Sequence, residues 1–404
     1  MSDMSYMEKL LDGVEVEWKA MGDETFVEIA NSGRKPVKAS LRAPGKTPYY
    51  GANNIQDYVD SYTHDGEFVL IAEDGSASLE NYSIQYATGK FWANNHVHVI
   101  RGKHGLNTRF LYHYLCIVNF MPFLTGGGRA KLTKGSMVEI QIPIPCPENP
   151  EKSLEIQAEI VRILDAFTEL TAELTGELTA ELTARNKQYN YYRDQLLSFE
   201  EGEVEWKTLG EIGEVRMCKR VLKSQTSSEG EIPFYKIGTF GKEPNAYIPR
   251  SLFEEYKAKY SYPKIGEVLI SASGTIGRTV IFDGEDAFFQ DSNIVWIEND
   301  ESVVLNKFLF YFYKIANWGV SEGGTIQRLY NDNLRKLLIP IPFPNDFKKS
   351  LAEQARIVTI LDKFDALTNS ITEGLPCEIT LRQKQYEYYR DLLLSFPKPE
   401  EAAA

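Results

Sequence analysis

The chain of 404 residues has few features of a membrane, secreted or metal-binding protein. No apolar run approaches the roughly 18 residues that a membrane-spanning helix needs, and the first residues contain no hydrophobic signal core. The four cysteines are scattered without CxxC spacing, which argues against a disulfide framework or a zinc site and predicts unreactive thiols: Cys116, Cys146, Cys218 and Cys377. The sequence therefore predicts a cytoplasmic protein.

Signatures of common catalytic sites are also missing. The sequence contains no GxGxxG, no Asn-Pro-Pro-aromatic signature of base methylation, no GxSxG and no HExxH. Gly45-Lys46-Thr47 resembles the end of a phosphate-binding loop, but Ser40 stands where the first glycine of that loop belongs. We therefore predict a non-catalytic chain without a metal site, and keep a nucleotide-dependent enzyme that uses Gly45–Thr47 as an alternative.

Positive charge is in short supply. The 44 Lys and Arg residues face 57 Asp and Glu residues, which gives a formal net charge of -13. Free-standing DNA-binding proteins usually carry a surplus of Lys and Arg, because they neutralise phosphates. A DNA-binding function would therefore require locally focused basic residues, or partner chains that complete the phosphate contacts.

The chain is a tandem duplication. The block RNKQYNYYRDQLLSF, Arg185–Phe199, recurs as RQKQYEYYRDLLLSF, Arg382–Phe396, with 12 of 15 positions identical at an offset of 197 residues. The same offset relates EIVRILDAF to RIVTILDKF and the IPIP element at Ile142–Pro145 to that at Ile339–Pro342. A VEWK element begins each copy, at Val16 and at Val204, and the segments between VEWK and IPIP have diverged. A repeated frame with changed contents is typical of two sites for related but unequal ligands.

Each copy ends in a segment with the periodicity of a packed helix. In the first copy the predicted seam follows steps of three and four and comprises Ile163, Phe167, Leu170, Leu174, Leu178 and Leu182, then Tyr189, Tyr192, Leu196 and Phe199. In the second copy it comprises Ile360, Phe364, Leu367, Ile371, Leu375 and Ile379. Matching seams predict that the two helices pack together, antiparallel because a globular domain separates them.

A four-residue repeat, TELTAELTGELTAELTA, occupies Thr168–Ala184 in the first helix. Its leucines face the seam, and Glu173, Glu177 and Glu181 are expected to face water. Each unit adds about 6 Å of helix at 1.5 Å per residue, so the repeat could act as a spacer; a solvated helix without a metric role is the alternative. In the second copy, Gly374 and Pro376 predict a bend or break.

The diverged segments, residues 17–150 and 205–344, contain short β-type runs broken by Gly, Pro and Asn. We predict strands at Phe68–Ile71, Val97–Ile100, Val268–Ser271 and Ile294–Ile297. Each segment is therefore expected to form an α+β domain.

Two features of these domains suit contact with DNA, although solvated loops remain an alternative for both. A stretch without acidic residues follows each VEWK element and carries Arg34, Lys35, Lys38, Arg42 and Lys46 in the first domain and Arg216, Lys219, Arg220 and Lys223 in the second. A glycine-rich turn precedes each IPIP element and is followed by Arg129 and Lys131 in the first domain and by Gln327 and Arg328 in the second. Further candidates with amide, ring, hydroxyl or cationic groups are Tyr49, Asn53, Asn54, Asn94, Asn95 and His96, and Lys236, Thr239, Ser273, Thr275, Arg278 and Gln290.

These observations predict an α+β chain in which two globular α/β domains are separated by two long antiparallel, coiled-coil-like helices, with pseudo-twofold symmetry from the duplication. The expected divisions are a first variable domain with a short N-terminal helix at 1–150, a central conserved helix at 151–200, a second variable domain at 201–346, a C-terminal conserved helix at 347–397 and a tail at 398–404.

The alternating conserved and variable segments, the IPIP elements, the EIVRILDAF and KQYNYYRDQLLSF blocks and the TAEL repeat resemble the specificity (HsdS) subunit of type I restriction-modification systems. The resemblance covers essentially the whole chain, and the repeat is similar to that of the subfamily with TAEL spacers. It implies that each variable domain, a target recognition domain, reads one half of a bipartite asymmetric DNA site in the major groove while the helices set the gap.

The same resemblance implies partners. Two methyltransferase subunits would dock on the conserved helices, restriction and translocase subunits would join that core, and S-adenosylmethionine, ATP and Mg²⁺ would belong to those partners. Residues kept between the copies but off the seam are the docking candidates: Gln188, Tyr191, Arg193, Gln385, Tyr388 and Arg390. A coiled-coil adaptor whose two domains bind proteins is a competing hypothesis.

Overall fold

The computed structural model describes residues 6–11, 13–126, 130–200, 204–318, 328–370 and 372–397. It divides into two compact units. The first unit comprises Met1–Glu177 and Ile379–Ala404, and the second comprises Leu178–Glu378. The units thus divide the chain within the two conserved helical segments rather than at their ends, so each unit contains one variable domain and parts of both segments.

The first unit is built on two four-stranded sheets. One sheet has the order Val27–Ile29, Val97–Gly102, Phe68–Ala72, Ile84–Ala87, and the other has the order Ile55–Val59, Pro44–Tyr50, Lys90–Ala93, His64–Asp65. The pairing of Pro44–Tyr50 with Lys90–Ala93 is parallel, and the remaining pairs are antiparallel. Its shorter elements are helices Tyr6–Leu11, Thr108–Leu115 and Lys134–Met137, the 3-10 turns Asn31–Gly33, Ala39–Leu41 and Met121–Phe123, and the hairpin Leu124–Thr125 with Lys131–Leu132.

The second unit repeats the first of these sheets and changes the second. Its four-stranded sheet has the order Gly213–Arg216, Ile294–Asn299, Val268–Ser271, Thr279–Ile281. A three-stranded sheet has the order Tyr247–Ile248, Ile232–Tyr235, Phe288–Phe289. The remaining elements are helices Leu209–Ile212, Arg250–Lys259, Asn306–Tyr313 and Asn331–Lys336 and the 3-10 turn Lys223–Gln225. The four strands predicted from the sequence are present, and they form the two central strands of the four-stranded sheet that the two units have in common.

The repeated VEWK and IPIP elements pair with each other in both units. Val16–Ala20 runs antiparallel to Gln141–Pro145, with Trp18 opposite Pro143. Val204–Thr208 runs antiparallel to Leu338–Pro342, with Trp206 opposite Pro340. Each diverged segment therefore begins and ends at the same two-stranded ribbon, which explains how its contents can change while its attachment stays constant.

Three long helices carry the conserved segments. The central helix spans Pro150–Leu196 without interruption. The C-terminal segment forms two helices, the penultimate helix Phe347–Asn369 and the last helix Gly374–Leu393, so the break expected from Gly374 and Pro376 is confirmed. Gly374 has a φ of +79°, a left-handed conformation that L side chains rarely adopt.

In both units the central helix packs against a C-terminal helix through stacked aromatic rings. In the first unit, Phe167 of the central helix stacks on Tyr389 of the last helix, with ring centroids 5.7 Å apart. In the second unit, Tyr192 of the central helix stacks on Phe364 of the penultimate helix at 5.6 Å.

The predicted seam is only partly correct. Leu170 is 51% exposed, and the most deeply buried apolar residues of the helix are Ile156, Ile160 and Leu164, which join the core of the first unit. Ile371 lies outside the described residues, whereas Glu173, Glu177 and Glu181 face solvent as predicted.

In each unit, the short helix beside the repeated four-stranded sheet makes equivalent polar contacts with a conserved helix. Asp165 accepts hydrogen bonds from Arg109 at 2.9 Å and contacts His113 at 2.7 Å. At the equivalent position of the second unit, Asp362 accepts hydrogen bonds from Lys307 and from the Tyr311 hydroxyl, both at 2.7 Å. In each unit, one carboxylate of the conserved helix thus holds the short helix that lies beside the sheet.

Within the described ranges, no helix is both long enough and apolar enough to cross a lipid bilayer. Across the same residues, no group of three or more His, Cys, Asp and Glu side chains is placed to hold a metal ion.

Candidate nucleic-acid interface

A polar cleft of about 360 Å³ lies in the second unit. Six donor-rich side chains line it: Arg220, Lys223, Lys236, Gln290, Asn293 and Arg328. Five of the six were candidates from the sequence, and the six come from four separate stretches of the chain. The fold therefore brings together the basic stretch after VEWK, Lys236, the Phe288–Asn293 region and the segment before IPIP.

The floor of this cleft is rigid because its backbone is tied by side chains. The side-chain oxygen of Gln290, Oε1, accepts a hydrogen bond from the Ile237 amide at 3.0 Å. Thr239 closes the adjacent turn, since its hydroxyl accepts from the Lys236 amide at 3.2 Å. Thr239 therefore has a structural role in the turn, whereas the half-buried Lys236 side chain lines the cleft.

The predicted residues around Gly274 have three different environments. Ser273 is buried, and its hydroxyl donates to Asn293 at 2.8 Å. Thr275 is exposed, and its carbonyl accepts a hydrogen bond from the Ser271 hydroxyl. Arg278 donates to the Phe240 carbonyl at 3.0 Å, which fixes its guanidinium on the protein. Of the three, Thr275 alone has an exposed side chain.

Two basic residues of the second unit do not line this cleft. Arg216 is ion-paired with Glu298 and Glu214, each at 2.8 Å. Lys219 is exposed, with its ammonium 4.7 Å from the centroid of the Tyr260 ring. The charge of Arg216 is therefore compensated within the sheet, which makes it a poor phosphate ligand.

In the first unit, Glu73 is the centre of an ion-pair cluster. Its carboxylate accepts from Arg34 at 2.6 Å and from Lys131 at 2.9 Å. Although burial alone would raise the pKa of this carboxyl, the hydrogen bonds from Arg34 and Lys131 hold the pKa below its ordinary value. Arg34 also donates to the Val97 carbonyl at 2.8 Å, so it holds the fold together rather than extending toward solvent. Lys131 remains partly exposed.

Tyr49 and Arg42 form a second internal contact. Tyr49 is 1% exposed, and its hydroxyl accepts from the Val37 amide at 3.1 Å. The Arg42 guanidinium lies 4.0 Å from the centroid of the Tyr49 ring and pairs with Asp57 at 3.3 Å. The prediction that Tyr49 contacts DNA is therefore wrong, because its ring and hydroxyl are both enclosed. Arg42 is mostly covered as well.

Three lysines of the same basic stretch are exposed: Lys35, Lys38 and Lys46. They are the residues of this stretch that could reach a phosphate. Lys46 lies inside the strand Pro44–Tyr50, not in the strand-to-helix turn that a phosphate-binding loop requires. A Cβ added at Gly45 would collide with the Val59 carbonyl, so close strand packing explains this glycine and removes the nucleotide-binding alternative.

The candidate amides of the first unit divide in the same way. Asn94 is buried, and its carbonyl oxygen accepts from the His96 amide at 2.8 Å, so its predicted contact with DNA is wrong. Asn53 bridges the Gly75 carbonyl and the Ala77 amide, each at 2.8 Å. Asn54 and Asn95 are exposed, and His96 is partly exposed with Nδ1 2.5 Å from Asp74. Arg129 and Gln327, predicted beside the glycine-rich turns, lie outside the described residues.

On the conserved helices, the predicted docking residues differ in exposure. Tyr191 and Tyr388 are 62% and 65% exposed. Arg193 and Arg390 are mostly covered, and each pairs with the next residue, Asp194 or Asp391, at 2.7 Å. Gln188 is half-buried and accepts from Arg185 at 2.8 Å, whereas Gln385 is exposed and accepts from Arg382 at 3.3 Å. The tyrosines are therefore better docking candidates than the arginines.

Three residues that organise these surfaces were not predicted from the sequence: Glu73, Asp74 and Asn293. All three are polar residues whose contacts depend on how the strands pair. Gly75 and Gly274, which recur in the two copies, were the signal that the sequence offered. The residues directly before them, Asp74 and Ser273, occupy matching positions in the two units.

The repeated sheet and the matched VEWK–IPIP ribbons define a protein of two duplicated units, and the second unit carries a polar cleft whose side chains suit nucleic acid. A family model described as the type I restriction modification DNA specificity domain matches residues 15–184 and 201–381. The chain belongs to this family, as the sequence resemblance predicted, and its function is DNA sequence specificity in a type I restriction-modification system. Specificity subunits are the non-catalytic components of these systems.

Relatives named as specificity subunits match this chain over nearly its full length. The chain is 66% identical over 399 residues to a putative type I restriction enzyme specificity subunit of Haemophilus influenzae, covering 98% of this chain and 99% of the relative. It is 38% identical over 426 residues to the specificity subunit of the Escherichia coli enzyme EcoR124I/EcoR124II, covering 99% of each.

A solved chain from a study of complex assembly and conformational transition in the type I system has a similar fold. It has a TM-score of 0.59 at 16% identity and covers 94% of this chain and 97% of its own length. The S subunit from M. genitalium has a TM-score of 0.50 at 16% identity and covers 96% of this chain and 98% of its own length.

Proposed function

We propose that each unit of this chain reads one half of a bipartite, asymmetric DNA site in the major groove. The observation that carries this proposal is the polar cleft of the second unit, where four cationic and two amide side chains converge beside the three-stranded sheet, the sheet that differs between the units. Arg and Lys pair with guanine, and Asn and Gln pair with adenine, so this set suits base edges. Exposed Lys35, Lys38 and Lys46 would supply phosphate contacts to the first unit.

The two conserved helices dock two methyltransferase subunits in this proposal. Tyr191 and Tyr388 occupy equivalent positions, one on the central helix and one on the last, and both are mostly exposed. Tyrosines are enriched among the residues that dominate protein interfaces. Two equivalent tyrosines would provide two equivalent docking sites, which suits two copies of one partner. Restriction and translocase subunits would join that assembly in the cytoplasm.

S-adenosylmethionine, ATP and Mg²⁺ belong to those partners in this account. The same partners would complete the DNA channel, which fits the net charge of -13 of this chain.

The TAEL repeat, residues 168–184, would set the gap between the two half-sites. It lies within one uninterrupted helix, Pro150–Leu196. Deleting Thr179–Leu182 removes about 6 Å of helix at 1.5 Å per residue, and we expect the unread gap to shorten by one or two base pairs with both half-sites unchanged. Methylome sequencing of a host carrying the variant measures both. A change in the recognised bases at a constant gap would contradict the spacer role.

A mobility-shift assay tests the proposal as a whole. The chain is assembled with the methyltransferase subunit of its own system and offered methylatable genomic fragments and mixed-sequence duplex. We expect a shift selective for sequence, lost when residues 205–344 are replaced by the corresponding segment of a relative. Assembly with protein partners but no preference among duplexes would instead favour a coiled-coil adaptor.

A further inference from the structure

Each unit contains an equivalent structural junction with three polar side-chain positions. In the first unit, the Leu132 amide donates to the Glu73 carbonyl at 2.8 Å, and the Glu73 amide donates to the His96 carbonyl at 2.8 Å. In the second unit, the Leu329 amide donates to the Ala272 carbonyl at 2.7 Å, and the Ala272 amide donates to the Asn293 carbonyl at 2.7 Å. The backbone frame is therefore the same in both units.

This frame places three side-chain positions in register. Isolated backbone bridges join Asp74 to Lys131 and Ser273 to Arg328. The strand pairs Ala72 with Val97 and Ser271 with Ile294 fix the neighbouring position as His96 or Asn293. The junction therefore holds Asp74, His96 and Lys131 in the first unit, and Ser273, Asn293 and Arg328 in the second.

The chemistry at these matched positions differs between the units. In the first unit, Asp74 contacts His96 at 2.5 Å, and Lys131 pairs with Glu73 at 2.9 Å. In the second, the side-chain oxygen of Asn293, Oδ1, accepts from the Ser273 hydroxyl at 2.8 Å and from the Arg328 guanidinium at 3.3 Å. One unit thus has a carboxylate, an imidazole and an ammonium where the other has a hydroxyl, an amide and a guanidinium.

The junction is also accessible, because the side chains of His96 and Lys131 are 40% and 45% exposed and Arg328 is exposed. In the second unit, Asn293 and Arg328 face the cleft that also holds Gln290 and Lys236. A hydrogen bond from Arg328 to Asn293 holds both groups in one orientation, which is what discrimination between base edges requires.

We propose that this junction determines which bases each unit selects: His96 and Lys131, with Asp74 positioning His96, for one half-site, and Asn293 and Arg328, with buried Ser273 positioning Asn293, for the other. The proposal rests on the proposed function and adds the positions that make the two half-sites different. Arg328 and Asn293 would select purines in the second half-site, since Arg pairs with guanine O6 and N7 and Asn pairs with adenine N6 and N7.

The central test is Arg328→Lys in the full chain, assembled with the methyltransferase subunit of its system and selected against a randomised duplex library. Lysine keeps the charge and loses the two-donor fork of the guanidinium. We expect the preference at one position of one half-site to fall by about 5- to 150-fold, with the other half-site and the affinity for non-cognate duplex unchanged. The matched control is Arg250→Lys, an exposed arginine of the same unit that pairs with Asp286 and lies outside the cleft; its selected motif should equal the wild-type motif.

A second variant transfers the chemistry of one junction to the other. The triple change Asp74→Ser, His96→Asn and Lys131→Arg should alter the half-site of the first unit and leave that of the second intact. An unchanged motif in both variants, a uniform loss of affinity across all duplexes, or an equal effect of Arg250→Lys would overturn the proposal. A wild-type complex that selects no motif would instead contradict the proposed function, so the two failures are distinguishable.

Discussion

Gln157 and Gln354 are fully buried at equivalent positions of the conserved helices and make the same hydrogen bonds. The Gln157 side chain donates to the Gly105 carbonyl at 2.7 Å and accepts from the Asn107 amide at 2.8 Å. Gln354 donates to the Val303 carbonyl at 3.1 Å and accepts from the Leu305 amide at 2.9 Å. Each glutamine therefore satisfies the loop that leads into the short helix beside its sheet.

We expect Gln157→Ala and Gln354→Ala each to lower the free energy of unfolding of their own unit by about 2 to 4 kcal/mol, because each leaves buried backbone groups unpaired and opens a cavity. Hydrogen exchange of the slowest amides in each unit of the full chain measures this. Gln385→Ala is the control, since that side chain is exposed and should change stability by less than about 0.5 kcal/mol. Equal effects of all three substitutions would contradict the assigned role.

All five histidines belong to the first unit, and three of them are buried: His64, His98 and His113. Burial lowers the pKa of each below 6.5, the value expected in the unfolded chain. The neutral form is therefore favoured on folding. Their stabilisation is complete above about pH 6.5 and is lost as the pH falls below it, because the unfolded state takes up protons first.

Lowering the pH from about 7.5 to about 5.5 should therefore destabilise the first unit more than the second. The strand Val97–Gly102 contains His98, whereas Ile294–Asn299 has Val295 at the matching place, so the two strands form an internal control. Hydrogen exchange, corrected for the intrinsic effect of pH, should show protection lost mainly in Val97–Gly102. Greater loss in Ile294–Asn299 would contradict this.

At the scale of elements, the two glycines of the conserved helices have opposite roles. Gly374 has a φ of +79°, and an added Cβ would meet the Ala366 carbonyl at 2.6 Å. Gly176 lies inside the central helix, with nothing within 4 Å of an added Cβ. Gly374→Ala should therefore lower the stability of its unit by more than about 1 kcal/mol, whereas Gly176→Ala should raise it by about 0.5 to 1 kcal/mol. Thermal unfolding of the two variants measures the signs, and a shift in the same direction for both would be inconsistent with this geometry.

The elements that could be predicted from the sequence are those with strong local signals. The runs at Phe68 and Val268 are apolar and bounded by turn residues, and Gly374 with Pro376 interrupts a helix, so each was found. Tyr49 and Asn94 were assigned to DNA incorrectly, because their burial depends on neighbours from other strands that no local pattern reveals. Helix periodicity likewise identified a seam but not the deeper contact of Ile160 with the core. Five of the six donor-rich residues of the cleft in the second unit were predicted individually from the sequence. The hydrogen bond between Ser273 and Asn293 could not be predicted, because it depends on the register of the strands.

At the scale of the whole molecule, the elements that attach each variable segment to the conserved helices are the same in both units, and the elements proposed to recognise DNA differ. The VEWK–IPIP ribbon, the buried glutamine and the carboxylate at Asp165 or Asp362 recur in both units. The second sheet, the cleft and the junction side chains differ between them. A frame that tolerates exchange of the intervening segment would allow new half-sites to arise without change to the conserved helices.

The most direct measurement of this account is the methylome of a methylation-free bacterial host that carries this chain with the methyltransferase subunit of its own system. The account predicts one motif composed of two unlike short half-sites separated by a fixed number of unspecified bases, and replacement of residues 205–344 should change one half-site only. A contiguous motif, the absence of any motif, or a change in both half-sites would contradict it.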